Sequence, residues 1–204
     1  GEITAVVGYL DQIADAPNRQ GQPVGAPQNA VAVIHNGEIK ARYVKQHLPN
    51  YGVFDEFRNF VPGTKTLLVR VGGIDIGIAI CEDLWQDGGL IDALAARMPG
   101  LVVVPNGSPF ERNKDDVRLA LVSKEALRMD APFVYVNMVG GQDDLVFDGD
   151  WVWGVQRMDQ ERATIGREVG GQRSGGHGDG AGEKGDGLGP AQVERHGDPA
   201  ALDA

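Results

Sequence analysis

The sequence predicts an α/β fold, and three observations carry that prediction. Between Gly1 and Asp150, β-rich runs alternate with segments of helical pattern. An Asn-Gly pair and a Gly-Gly pair each join two strand-like runs, which marks two hairpins. The chain has 204 residues, 42% of them hydrophobic, enough to bury a core.

In chain order, Thr4 to Leu10 is a β-rich run that leads, after a short polar stretch, into a Pro-containing loop around Asn18 to Gln28. Ala30 to Ile34 and Ile39 to Val44 flank "HNGE" and form the first predicted hairpin. Leu67 to Val71 and Ile74 to Cys81 flank Gly72-Gly73 and form the second. A helix is predicted over Leu90 to Met98, a strand over Leu101 to Val104, a longer helix over Lys114 to Met129 and a strand over Phe133 to Asn137.

Beyond Trp151 the texture changes, and the predicted organisation is a folded domain over 1–150 followed by a low-complexity segment over 151–204. Glycine makes up 13 of the last 54 residues, and no aromatic residue follows Gly166. Such sequence buries too little surface to offset the entropy of ordering, so a disordered tail is expected. Its composition also fits an out-of-frame reading of GC-rich coding sequence; a natural flexible tail is the alternative. The chain opens on Gly1 and enters a strand at once, as though cut from a longer polypeptide.

The net charge of -10 argues against nucleic acid or anionic lipid as partner, because such binding needs basic patches. No window reaches the roughly 18 uninterrupted apolar residues of a membrane span, and there is no signal-peptide pattern. A single cysteine cannot form an internal disulfide, which fits a reducing, cytoplasmic setting. One Cys and four scattered His match no metal-ligand spacing, so no metal is expected.

That cysteine, Cys81, ends the run "GIDIGIAIC". Read as a strand, the run places Ile74, Ile76, Ile78 and Ile80 on one face and Asp75, Gly77, Ala79 and Cys81 on the other, with room above the small residues. Cys81 then sits at the C-terminal edge of a strand, where open α/β sheets place ligands. A helical turn starting at Glu82 would favour the thiolate, while Glu82 and Asp83 oppose it, so a cation is required. Taken alone, a lone strand cysteine reads as a buried structural residue. Lys45, at the end of a predicted strand, reads alone as a solvated charge; beside the thiol it would be the missing cation. No G-x-S-x-G occurs, and "RSGGHGDG" lacks the flanking strand and helix of a phosphate loop.

Four stretches carry a more specific signal: "LPNYGVFDEFR" (48–58), "ICEDLWQDGG" (80–89), "VVVPNGSPFERNKDD" (102–116) and "VNMVGGQDDLVFDGD" (136–150). They resemble the glutaminase domain of bacterial glutamine-dependent NAD synthetases, within the nitrilase (carbon-nitrogen hydrolase) superfamily. The likeness runs from about Val6 to Asp150. It implies an α-β-β-α sandwich and a Glu-Lys-Cys mechanism in which Cys81 attacks the side-chain amide of L-glutamine, releasing ammonia and leaving a thioester that water hydrolyses. Lys45 would stabilise the oxyanion and lower the thiol pKa. Glu56 would support Lys45. Tyr51, Ser108 and Lys114 match glutamine-holding positions, and Glu82 a contact to the α-amino group.

The resemblance also marks departures. The family's general base lies in a Pro-Glu motif of an N-terminal strand and helix, and this sequence contains no Pro-Glu dipeptide. After Asp150 the family continues into an ATP- and magnesium-using synthetase domain, and no ATP or NAD site carries over here. The expectation is a glutaminase domain truncated at its N-terminus, of impaired activity, whose partners are glutamine, the synthetase domain and, in the full-length protein, further copies of itself. A non-catalytic interaction fragment of the synthetase assembly and a stand-alone amidase of the superfamily are the alternatives.

Overall fold

A computed structural model describes residues 3–13, 25, 27–154, 164–166 and 193–196. Nine residues of β1 (Thr4–Gln12) pair antiparallel with β2 (Pro27–His35), which pairs with β3 (Glu38–Val44) in a three-stranded sheet. The β2–β3 turn is the predicted Asn-Gly pair: Asn36 (φ 51°) and Gly37 (φ 77°) both adopt the left-handed backbone that this two-residue turn demands. A bulge between Val33 and Ile34 precedes it in β2. Four consecutive residues of β2, Ala30 to Val33, are buried, so this strand is covered on both faces.

A short helix, α1 (Glu56–Asn59), leads to the second sheet. There β4 (Leu67–Val71) and β5 (Ile74–Ile78) form the Gly72-Gly73 hairpin, and β5 continues parallel to β6 (Leu101–Asn106) and β7 (Phe133–Asn137). The crossovers are helical: α2 (Gly89–Ala95) between β5 and β6, and α3 (Lys114–Met129) between β6 and β7. A small hairpin of β8 (Val139–Gln142) and β9 (Leu145–Asp148) precedes β10 (Trp151–Gly154), which lies antiparallel on β7. Short strands β11 (Thr164–Gly166) and β12 (Val193–His196) extend the sheet to seven strands.

One apolar core joins the layers. It runs from Val31, Val33, Ala41 and Tyr43 of the first sheet through Ile78, Val104 and Tyr135 of the second to Leu94 and Val122 of the helices. Gly77, Val102, Phe133 and Gly154 lie opposite one another across β5, β6, β7 and β10. Both glycines in that row admit a helix: a Cβ on Gly77 would sit 3.1 Å from Leu94 of α2, and one on Gly154 would sit 2.8 Å from Val122 of α3.

The predicted hairpins, helices and strands are all present, and α3 and β7 have the bounds read from the sequence. Three expectations change. The strand ends at Ile78, so Cys81 is not a strand residue but opens a 3₁₀ turn, Cys81–Leu84. The small-residue face is not open, because α2 packs onto Gly77. The strand Trp151–Gly154 carries the folded unit past the boundary drawn at Asp150. The tail beyond it lies, apart from β11 and β12, outside the described residues, as does most of the loop predicted around Asn18 to Gln28. Two sheets and one helical layer of the expected sandwich are visible among the described residues.

Candidate active site

The three parallel strands deliver their C-terminal ends to one edge. Cys81 follows β5, Gly107 and Ser108 follow β6, and Asn137 ends β7. This is the edge at which open sheets bind ligands. Lys45 arrives from the other sheet, one residue beyond β3, fixed by its N–H to the Asn29 carbonyl (2.9 Å) and by its own carbonyl accepting the Gly63 N–H (2.8 Å). Its side chain is only 1% exposed, and its Nζ lies 2.7 Å from Oε1 of Glu56 on α1. Asn29 donates to the other oxygen of Glu56 (3.2 Å), which aims the carboxylate. Asn29 was not legible as part of this arrangement, since its strand position carries no motif.

Cys81 is 7% exposed and has φ 44°, a left-handed conformation strained for a non-glycine residue. Burial pushes its thiol above the ordinary cysteine range; the Lys45 ammonium and the Gly107 N–H pull it down, while Glu56 and Glu82 push it up. The lysine therefore acts in the expected direction but does not outweigh burial. At neutral pH the resting thiol is protonated, and attack on a carbonyl requires that its proton be taken by a base.

Beside the thiol, Glu82 is 5% exposed, its carboxylate held by Tyr51 Oη (2.6 Å) and Gln86 Nε2 (2.6 Å). Burial first, and then the hydrogen bond to Glu82, raises the Tyr51 hydroxyl above its usual pKa, so it remains a donor. Glu82, Tyr51 and Gln86, with Gln46 to Asn50, line a cavity of about 300 Å³. A buried carboxyl group facing a cavity of that size suits a small cationic group such as an ammonium.

Ser108 and Lys114 lie outside that lining. Ser108 is buried; its N–H donates to Asn137 Oδ1 (2.8 Å), and its carbonyl accepts from Asn137 Nδ2 (2.8 Å) and Arg118 (3.2 Å). Lys114 opens α3 and pairs with Glu111 at 2.5 Å. Glu111 and Cys81 both act electrostatically on Tyr51, which puts Lys114's partner on the same side of the site.

Below Ser108, Asp115, Asp148 and Asp150 bring carboxylate oxygens within 4.8 Å of one another. Arg118, 1% exposed, lies among them at 3.5, 2.7 and 3.6 Å respectively. The cation of this acidic cluster is thus its own guanidinium, and the cluster holds the Ser108 loop in place. Arg118, Asn137 and Asp148 escaped the sequence reading because nothing local distinguishes a buried Arg or Asp from a solvated one.

A family model described as carbon-nitrogen hydrolase matches residues 3–164. The chain is 42% identical over 149 residues to a glutamine-dependent NAD(+) synthetase of Xylella fastidiosa, covering 69% of this chain and 27% of that protein. It is 39% identical over 151 residues to the corresponding synthetase of Thermotoga maritima, covering 72% of this chain and 24% of that one. The chain therefore spans about a quarter of the length of these relatives. Among solved structures, the glutamine-dependent NAD+ synthetase from Acinetobacter baumannii superposes with a TM-score of 0.70 at 35% identity, over 79% of this chain and 29% of the other. A mutant of an amidase of the nitrilase superfamily from Nesterenkonia superposes at 0.59 with 27% identity over 74% of this chain and 52% of the other; in that mutant the acetamide moiety of fluoroacetamide is added covalently at the active-site cysteine. With a cysteine, a buried lysine and a glutamate assembled at the sheet edge and the family model spanning most of its length, this chain belongs to the carbon-nitrogen hydrolase family of enzymes.

Proposed function

We propose that the chain is the glutamine-hydrolysing module of a glutamine-dependent NAD synthetase. The observation that carries this reading is the buried Lys45–Glu56 pair, whose ammonium acts on the Cys81 thiol from the opposite sheet.

Cys81 loses its proton to a base and its sulfur attacks the side-chain amide carbon of glutamine, forming a C–S bond while the carbonyl π electrons move onto oxygen. The Lys45 ammonium stabilises that oxyanion, and Glu56, 2.7 Å away, holds the lysine in place. The C–N bond then breaks as the nitrogen gains a proton and leaves as ammonia; water hydrolyses the thioester to glutamate. Glu82, steadied by Tyr51 and Gln86, receives the α-amino group, and Ser108 and Lys114 hold the rest of the substrate. The ammonia is consumed by a synthetase domain whose ATP and magnesium chemistry lies elsewhere in the assembly, which works as a homo-oligomer in the cytoplasm. A protonated resting thiol without the Pro-Glu base leaves this chain alone impaired; a general base is worth about 10²- to 10⁴-fold.

Labelling tests the reading. A chloroketone analogue of glutamine should alkylate Cys81, glutamine should protect it, acetamide and propionamide should not, and Cys81→Ala should abolish the adduct. Equal protection by simple amides would instead favour a stand-alone amidase, the reading that the Nesterenkonia likeness supports. Glutamine turnover near the typical enzyme value of about 10 s⁻¹ would overturn the impairment. Labelling no faster than that of an unfolded thiol would favour a non-catalytic fragment of the assembly.

A further inference from the structure

Asp83 is fully buried, two residues after Cys81. Its Oδ1 accepts the N–H groups of Gln46 (3.1 Å) and His47 (2.8 Å), and its Oδ2 accepts Tyr43 Oη (2.8 Å) and the Ile80 N–H (3.0 Å). Its own N–H donates to the Ile80 carbonyl (3.0 Å). One side chain is thus tied to the residues on both sides of Lys45 in the first sheet, and to the residue preceding Cys81 in the second. No cation is among these partners. Burial accordingly raises the Asp83 carboxyl, and the four hydrogen bonds pull it back only in part.

A carboxylate offers about four lone-pair positions and no donor, which matches four converging donors; an asparagine amide has one oxygen and would turn its NH₂ against two of them. The paired Ile80–Asp83 bonds also bracket the left-handed Cys81 backbone and hold it in the 3₁₀ turn.

We infer that Asp83 is a positioning residue, which sets the register of the Lys45 ammonium against the Cys81 thiol across the two sheets. The inference rests on the proposed reading that Lys45 serves the reaction of Cys81. The ionisable groups acting on that thiol are Lys45, Glu56 and Glu82, and the thiol in turn acts on Tyr51 and Tyr135. Loss of register weakens the one cation among them. Deleting the charge of Asp83 without any movement would, if anything, ease thiolate formation, so position and charge predict opposite signs.

The experiment is the pH profile of Cys81 alkylation by iodoacetamide, which needs no turnover of glutamine, on the whole chain. Asp83→Asn should move the midpoint upward and slow alkylation at pH 8 by about three- to tenfold, the effect of half to one pK step on the thiolate fraction. Tyr43→Phe, which removes one of the four bonds and keeps the carboxylate, should move it the same way by less, and it carries the test if Asp83→Asn does not fold. Val122→Ala, in α3, should lower the melting temperature and leave the midpoint in place. An unchanged or lowered midpoint in either folded site variant overturns the inference. If Lys45→Met fails to raise the midpoint in the parent chain, the underlying reading of Lys45 fails instead.

Discussion

Glu56→Gln should destabilise the chain more than any surface ion-pair substitution. The pair spans 2.7 Å, with side chains only 1% and 18% exposed. At an effective dielectric of about 20, unit charges at that separation attract by about 6 kcal/mol. Glutamine can still accept a hydrogen bond from the ammonium, and bonds to charged groups retain roughly 1.5–3 kcal/mol. The difference, about 3–4.5 kcal/mol, falls in the range of roughly 3–5 kcal/mol for stranding one member of a buried pair. For a domain of this size it corresponds to a drop of roughly 6–18 °C in melting temperature, at 2–4 °C per kcal/mol. The assay is urea unfolding followed by tryptophan fluorescence, with Lys45→Met/Glu56→Leu as a second variant. Replacing both charges removes the stranded ammonium, so the double variant should be more stable than Glu56→Gln. A loss below about 1 kcal/mol, the size of an exposed pair, would refute the claim that this pair is shielded from water.

Three further outcomes follow from the same geometry. Because burial raises the Cys81 thiol, its alkylation midpoint in the parent chain should lie above the free-cysteine value of about 8.5, and Glu82→Gln should lower it by removing a charge that opposes the thiolate. Burial works against the Asp148 carboxylate, but hydrogen bonds from Arg118, Asn137 and the Asp150 N–H hold its pKa below the usual aspartate value. The stabilisation is complete above the unfolded pKa of about 3.9 and is lost as pH falls through the lower folded value. Asp148→Asn should therefore flatten the acid limb of melting temperature against pH in that window. Gly154→Ala should cost roughly 1–3 kcal/mol by overpacking, since the new methyl would sit 2.8 Å from Val122; a neutral effect would show that β10 does not lie against α3.

What could be read from the sequence was what is written locally. Asn36-Gly37 and Gly72-Gly73 announce their hairpins because few other residues accept that backbone. α3 was legible to the residue because a charged start and a left-handed Asp130 bound it. Cys81 was misplaced on a strand because alternation of isoleucines does not reveal where β5 stops and a strained turn begins. Trp151–Gly154 was lost because four residues beside a glycine-rich segment are too few for a period. The pairing of Lys45 with Glu56 came from the likeness in "LPNYGVFDEFR" and from no spacing rule, since they stand eleven positions apart across a loop. Asp83 could not be read at all, because its role depends on four donors brought together only by the stacked sheets.

The two residues to which the proposal assigns the chemistry hang from different sheets, Lys45 beyond β3 and Cys81 beyond β5. Neither sheet alone brings that pair together, so the proposed site reports on docking of the layers and not on the hairpins within each. A nascent or partly melted chain, with its secondary structure in place but its layers apart, keeps a thiol that has lost its ammonium. In a denaturant titration, selective labelling by the glutamine analogue should disappear together with near-ultraviolet circular dichroism and before the far-ultraviolet signal.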